Sequence, residues 1–353
     1  MSTAAPPPPA PAAARPLPQG ARVLLVRLSA LGDVLFALET VAALAQARPD
    51  LRLEFLVEDR FAALLEDHPQ LAAVHVYPRK RPWSIPAALW RLRRRRFDVV
   101  LDLHGILKSA LHVLAARADR KIGYAAPGAR EGSHRAYRER VAVPSPLPHR
   151  AELGYLLLRH LGLDAPRTAP ALAAVAPPPA LLAELPRPRV LLHPGTSAFA
   201  TFKRWPVDRF ATLAARLGAR GCGVAVSVGP GERELVAPLL AAAPAARVVD
   251  GSQLGLRGLA GVLQQVDLIV AADTGPLHIA AAVGTPCVAL FGPKDPARYG
   301  PRSHGAVRHE VLYHDVPCRP CTRRDCVTPQ CVLGLGVEVV EAAVLRQLEV
   351  RAP

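Results

Sequence analysis

The sequence predicts an α/β protein built from two doubly wound parallel-sheet domains in tandem, and three observations predict it. At 353 residues the chain is too long for one ordinary domain and suits two. Half of the residues are hydrophobic, which supports sizeable cores and excludes a wholly disordered chain. Short apolar runs alternate with helical periodicity twice over, and an Ala/Pro-rich stretch parts the two series.

Residues 1–21 are nearly all Ala and Pro, with Pro6 to Pro9 in succession, and read as a disordered or polyproline-like tail. The prolines break the apolar run that a secretory signal needs, and no apolar run reaches the roughly 18 residues that span a bilayer. The chain is therefore expected in the cytoplasm. The first domain is assigned to residues 22–170. Residues 22–28 (RVLLVRL) read as a strand buried on both faces, 29–33 (SALGD) as a turn and 34–47 as a helix. Further strands are expected at 52–57, 73–77, 98–104 and 121–124. Residues 171–188, with three consecutive prolines from Pro177, form the linker. In the second domain, 189–335, strands fall at 189–193, 223–228, 247–249, 267–271 and 286–291. Helices are expected there at 206–217, 232–243 and 277–283. A last helix within 336–353 is expected to pack back toward the first domain. Doubly wound sheets bind ligands at their carboxyl edges, so the facing edges would enclose a cleft.

Three strand-to-helix turns carry chemistry. SALGD lacks the GxGxxG dinucleotide pattern, but Gly32 permits close backbone approach, and Asp33 is either a helix N-cap or a carboxylate facing a ligand. His193-Pro194-Gly195-Thr196-Ser197, followed by Lys203-Arg204-Trp205-Pro206, offers amides, two hydroxyls and a lysine to a diphosphate, unless Lys203 and Arg204 are plain solvated charges. Asp273-Thr274-Gly275-Pro276-Leu277-His278 leaves a buried strand and enters a helix. Its Thr274 and Gly275 amides can meet a phosphate, and His278 is either part of that site or a satisfied core histidine.

SALGD, KRWP, DTGPLH and ALFGPKDP, in this order and spacing, resemble glycosyltransferase family 9, the heptosyltransferases of lipopolysaccharide inner-core assembly. The resemblance runs from about Arg22 to the C-terminal helix. It implies a GT-B fold and an inverting transfer from a nucleotide-heptose, with no required cofactor or catalytic metal. The stretch from Phe97 to Ser109, with Gly123 and Ala129-Arg130-Glu131, is similar to the branch that adds the first heptose to Kdo on lipid A, although His104 stands where glutamine is usual.

The resemblance makes Asp33 the general base and Lys203 the cation that neutralises the leaving diphosphate. It assigns Thr196 and Ser197 to phosphate contacts, and Asp273, Thr274, Gly275 and His278 to donor sugar and phosphate. Glu232 falls to the ribose hydroxyls, with Glu234 competing. Arg79, Lys80, Arg81, Lys108 and Arg130 fall to an anionic acceptor. The implied partners are ADP-heptose, a Kdo-lipid A type glycolipid and the inner face of the cytoplasmic membrane, where the enzyme would be peripheral. A family transferase with another donor or acceptor is the allied alternative.

Charge agrees with an anionic partner at the front of the chain. The net charge is +15. Residues 22–175 carry 24 basic against 15 acidic side chains, and 176–353 carry 19 against 14. Residues 79–96 hold eight Lys/Arg and no acid. Trp83, Leu89 and Trp90 add apolar surface suited to an interface, unless the tryptophans are core. A nucleic-acid-binding protein is disfavoured, because no binding motif is present and only 5% of residues are aromatic. Cys318, Cys321, Cys326 and Cys331 have a spacing that permits a structural metal, with free or oxidised thiols as the alternative.

Overall fold

The computed structural model describes residues 16–174 and 181–349. The front of the expected tail, the triple proline of the linker and residues 350–353 lie outside the described residues. The first sheet contains β1 (Arg22–Val26), β2 (Arg52–Glu58), β3 (Ala73–Tyr77), β4 (Arg96–Asp102), β5 (Arg117–Tyr124) and β6 (Glu139–Val141). All are parallel, in the order β3-β2-β1-β4-β5-β6. The second sheet repeats this pattern as β12-β11-β10-β7-β8-β9. Its strands are β7 (Arg189–His193), β8 (Gly223–Val228), β9 (Arg247–Asp250), β10 (Leu268–Ala272), β11 (Cys287–Phe291) and β12 (Glu310–Tyr313). Strand order reverses between β1 and β4 and between β7 and β10, so the loops at these two points open the crevices where ligands bind.

Helices α1 (Leu31–Ala47), α2 (Asp59–Ala62), α3 (Ile85–Arg93), α4 (Leu107–Ala115) and α5 (Arg150–His160) belong to the first half. The second half carries α6 (Val207–Ala219), α7 (Val236–Ala242), α8 (Gly251–Leu263), α9 (Gly275–Ala282), α10 (Pro296–Tyr299), α11 (Gln330–Leu333) and α12 (Val337–Glu349). Helix α1 is buried without interruption from Val34 to Leu44, because the sheet, α5 and α9 surround it. Its contact with α5 depends on Gly154, where an added Cβ would lie 1.8 Å from Thr40 Oγ1.

Several expectations are corrected. Residues 16–21 are not part of a loose tail. Leu17 is buried in the core, Arg48 Nη2 donates to the Pro18 carbonyl (3.0 Å), and the Gly20 amide donates to Asp50 Oδ2 (2.8 Å). The last helix does not return to the first domain. Val340, Ala343 and Val344 of α12 enter the core of the second, at the i, i+3, i+4 spacing of one helix face. Arg216 of α6 and Arg220 just after it pair with Glu341, and Arg346 pairs with Glu310 of β12. Strands β6 and β12 were not expected because they are short, half-exposed edges whose few residues make no long apolar run.

Candidate active site

Asp33 stands at the third position of α1, just past the carboxyl end of β1. The helix begins at Leu31 and its N-cap is Ala30, so Asp33 does not cap it. Its carboxylate instead receives two guanidinium groups. Arg27 Nη2 lies 2.5 Å from Oδ2, and Arg150 Nε, from the start of α5, donates to Oδ1 at 3.0 Å. Burial alone would raise the Asp33 pKa, but the charges of Arg27 and Arg150 outweigh it and hold the carboxyl far below the usual range. Arg27 is buried and fixed by donating to the Leu103 carbonyl (2.6 Å).

The β4 loop completes this side. Asp102 is buried, accepts from the amides of His104 (2.8 Å) and Gly105 (3.2 Å), and accepts from the Tyr137 hydroxyl (2.8 Å). His104 Nδ1 accepts from the Leu28 amide (3.3 Å). Burial and the nearby arginines lower its pKa strongly, so the ring is neutral, with Nδ1 as acceptor and Nε2–H as donor. A neutral imidazole offers one acceptor and one donor group, as the amide of the usual glutamine does.

In the second domain, Asp273 follows β10 and meets Lys203 Nζ at 2.5 Å through Oδ2, while His278 Nε2 lies 3.3 Å from Oδ1. Burial would raise the Asp273 pKa, but the His278 hydrogen bond and the Lys203 charge hold it down at about 2. Trp205 explains the KRWP motif. Its buried ring packs edge-on to Phe210, and Nε1 donates to the Leu335 carbonyl (2.9 Å), anchoring the loop two residues after Lys203. His278 is buried and its Nδ1 has no hydrogen-bond partner among the described residues, which leaves an open hydrogen-bonding position.

The two halves touch at the two turns. A Cβ on Gly32 would lie 2.6 Å from His278 Cδ2, and one on Gly275 would lie 2.6 Å from Leu31 Cδ2. These glycines let the start of α1 and the start of α9 approach until their side chains are in contact. A continuous chain of contacts thus runs from the Asp33 turn through His278 and Asp273 to Lys203.

The remaining donor candidates sit on neighbouring loops. Thr196 is buried, its Oγ1 without a partner among the described residues, whereas Ser197 is exposed. Glu232 is tucked beneath Gly195 and accepts from the Gly229 amide (2.7 Å), and burial raises its pKa. Glu234 is exposed. Thr274 is the N-cap residue of α9, but its hydroxyl donates to the Ala272 carbonyl (3.1 Å), leaving the helix amides open.

The acceptor candidates divide into two groups. Arg130 is tied to the β4 loop through its amide and the Gly105 carbonyl (2.8 Å), close enough for its charge to act on His104. Arg79 and Lys108 instead gather around buried Glu58, at 3.9 and 3.6 Å. The Lys80 amide donates to Asp59 (3.2 Å), and Arg81 is exposed. Trp83 is 76% exposed and Trp90 54%, so neither tryptophan is core. The structural-metal reading of the cysteines is not supported. Among the described residues no three metal-binding side chains are arranged to hold an ion, and all four thiols are free, lining an apolar cavity of about 300 Å³ with Phe202.

Arg27, His149, Arg150 and Arg298 escaped notice in the sequence. Arg27 ends a strand run that reads as core, and Arg150 lies 117 positions from Asp33 with no local pattern to flag it.

Two parallel sheets with 3-2-1-4-5-6 order, meeting across a clamped carboxylate and a lysine–aspartate–histidine cluster, define a glycosyltransferase of the GT-B fold. Residues 87–332 match the sequence profile of glycosyltransferase family 9 (heptosyltransferase). The chain is 32% identical over 335 residues to lipopolysaccharide heptosyltransferase 1 of Pseudomonas aeruginosa, covering 86% of this chain and 87% of that one. Against the Escherichia coli K12 protein of the same name, identity is 29% over 297 residues, covering 79% and 90%. The E. coli heptosyltransferase WaaC, solved with ADP, superimposes with a TM-score of 0.73 at 25% identity, over 93% of this chain and 98% of that one. A family 9 glycosyltransferase from Veillonella parvula gives 0.80 at 21% identity, over 94% and 98%. The chain belongs to glycosyltransferase family 9. No helix among the described residues is long and apolar enough to cross a membrane.

Proposed function

We propose that the enzyme transfers heptose from ADP-heptose, with inversion, to the lipopolysaccharide inner core, with Kdo-lipid A as first acceptor and heptosyl-Kdo-lipid A as the competing one. The observation that carries the reading is the contact of the Asp33 turn with the His278–Asp273–Lys203 cluster. One relative is named lipopolysaccharide heptosyltransferase 1, and a WaaC structure at 25% identity holds ADP-2-deoxy-2-fluoro heptose, which supports the donor and the core acceptor.

The acceptor hydroxyl attacks the anomeric carbon from the face opposite the diphosphate. As the new C–O bond forms, Asp33 takes the hydroxyl proton, and the old C–O pair leaves on the diphosphate. A carboxylate held by two arginines is ionised throughout the neutral range but is a weak base. It serves here because the hydroxyl becomes acidic only as its oxygen bonds to the sugar. Lys203 and the Thr274 and Gly275 amides at the start of α9 meet the charge that grows on the leaving group. His278 orients Asp273, which orients Lys203. Glu232 takes the ribose hydroxyls, and Thr196 and Ser197 take phosphate oxygens. Arg79, Lys80, Arg81, Lys108 and Arg130 face the acceptor's anionic groups.

The enzyme is read as peripheral to the inner face of the cytoplasmic membrane. Leu107, Leu111 and Leu114 lie at i, i+4, i+7 on α4, half-exposed, and α4 packs against α3, which carries the exposed Trp90. Arg91, Arg93 and Arg94 at the end of α3 are exposed, and the Arg94 guanidinium lies 3.9 Å over the Trp90 ring. Mass spectrometry of lipopolysaccharide from a deletion strain tests the reading. Loss of all heptose is expected, loss of one heptose would assign a later step, and intact cores would refute it.

A further inference from the structure

Three cations crowd a single tyrosine at the junction of the domains. Arg150 Cζ, Lys294 Nζ and Arg298 Cζ lie 6.0, 5.6 and 5.3 Å from the Tyr299 ring centroid. Lys294 and Arg298 have no ion pair among the described residues, and Arg298 Nε is buried without a partner. The nearby Asp295 carboxylate is engaged in capping α10, accepting from the Ala297 amide at 2.9 Å. Gathering like charges in this way is unfavourable, and the face of one phenol ring offsets only part of the repulsion. An anion would offset the rest.

Arg150 connects this cluster to the reacting centre. It belongs to the first domain and donates to Asp33, yet it also lies against Tyr299 of the second. The preceding residue fixes the contact. His149 Nδ1 accepts from the Ala151 amide (3.2 Å), so Nε2–H donates to the Gly300 carbonyl (3.0 Å) across the domain boundary.

We infer that Arg150, Lys294 and Arg298 form a subsite for an oxyanion of the acceptor, a carboxylate or phosphate beside the reacting hydroxyl, and that Arg150 leaves Asp33 to bind it. The inference rests on the function proposed above. Four groups face Asp33: Arg27 from the end of β1, Arg150 from α5, His104 from the β4 loop and Tyr124 from β5. Arg27 is buried and held by the Leu103 carbonyl, His104 is neutral, and burial keeps Tyr124 protonated. Arg150 is thus the charge able to move. When the oxyanion takes its guanidinium, Asp33 keeps one arginine and gains proton affinity as the acceptor hydroxyl arrives. Without an acceptor the base stays doubly clamped, which slows transfer to water. Recognition of the anion is thereby converted into rate, and the nucleotide-sugar domain takes part in reading the acceptor.

Steady-state kinetics with ADP-heptose and deacylated Kdo-lipid A test this. Lys294→Met and Arg298→Gln should each raise the acceptor KM about tenfold, as loss of one charge-assisted hydrogen bond does, with donor KM and melting temperature near wild type. Arg150→Gln should raise the acceptor KM and also move the acid limb of kcat/KM for the acceptor, which reports the enzyme before acceptor binds, to higher pH, while the limb of kcat stays near wild type and Arg150→Lys restores part of both changes. Raised donor KM with unchanged acceptor KM would overturn the inference by giving the cations to the diphosphate. An unmoved acid limb of kcat/KM for the acceptor in Arg150→Gln would overturn the masking of Asp33. Calorimetry supplies a readout independent of transfer. With the nucleotide site filled by ADP, wild type should bind inorganic phosphate and the Lys294→Met/Arg298→Gln double variant should not; equal binding would overturn the subsite. Wild-type failure to use the acceptor, with phosphate binding as expected, would refute the proposed function and leave the anion subsite standing.

Discussion

Gly32→Ala isolates the contact on which the site depends. The added methyl carbon would lie 2.6 Å from His278 Cδ2 and 2.9 Å from Nε2. Carbon atoms settle near 3.5–4.0 Å, so the ring or the helix start must retreat by about 1 Å. The ring is poorly able to do so, since Phe36 packs edge-on against it at 5.1 Å and its Nε2 is bonded to Asp273. Overpacking of this kind costs about 1–3 kcal/mol, while alanine in place of glycine near a helix start returns up to about 1 kcal/mol of propensity. The net is a loss of up to about 2 kcal/mol, or a fall in Tm of up to roughly 8 °C at domain sizes of 150–250 residues. Displacing His278 also loosens Asp273 and Lys203, so the donor KM should rise severalfold while the acceptor KM changes less. Differential scanning calorimetry and initial-rate kinetics read the two effects. A raised Tm with an unchanged donor KM would show that α1 and α9 do not meet in solution as they do here.

Asp33→Asn should lower kcat by about 10²–10⁴ with donor binding preserved, because the amide cannot accept the proton; wild-type turnover would refute the assignment. Lys203→Ala should raise donor KM and lower kcat together, since the diphosphate is charged before and more so during departure, and a normal donor KM would remove Lys203 from the phosphate site. Replacing Arg79, Lys80 and Arg81 by serine should raise acceptor KM far more than donor KM and weaken binding to anionic vesicles, with a difference that shrinks as salt is added; a raised donor KM alone would place this loop on the donor side. The Asp273 carboxyl, held at about 2 against about 3.9 in the unfolded chain, contributes stability that is complete above pH 4 and lost as pH falls toward 2. Melting curves of wild type and Asp273→Asn should therefore converge in that window, and parallel curves would show that the pairing with Lys203 is absent.

The sequence by itself determined the architecture of both halves. Strands β1, β7, β8 and β10 are buried on both faces and appear as largely apolar runs; β7 and β8 fall at their expected bounds, β10 lies one residue later and β1 stops two residues short. The short motifs were legible for a similar reason. SALGD and DTGPLH each lie in the turn after a strand's carboxyl end, KRWP immediately precedes α6, and backbone geometry keeps the residues of each motif together. Where signals are weak or partners distant, local reading failed. The edge strands β6 and β12 carry mixed polarity, and the start of α1 was placed three residues late, which made Asp33 look like a cap. Only the tertiary structure decided what surrounds that carboxylate. Arg150 reaches Asp33 from 117 positions away, and Lys203 meets Asp273 across 70. The chain packs these groups together because Gly32, Gly154 and Gly275 remove the side chains that would hold α1 apart from α9 and α5. Such absences acquire meaning only when the neighbouring surfaces are in place, because what a missing methyl group permits depends on which atom stands opposite it.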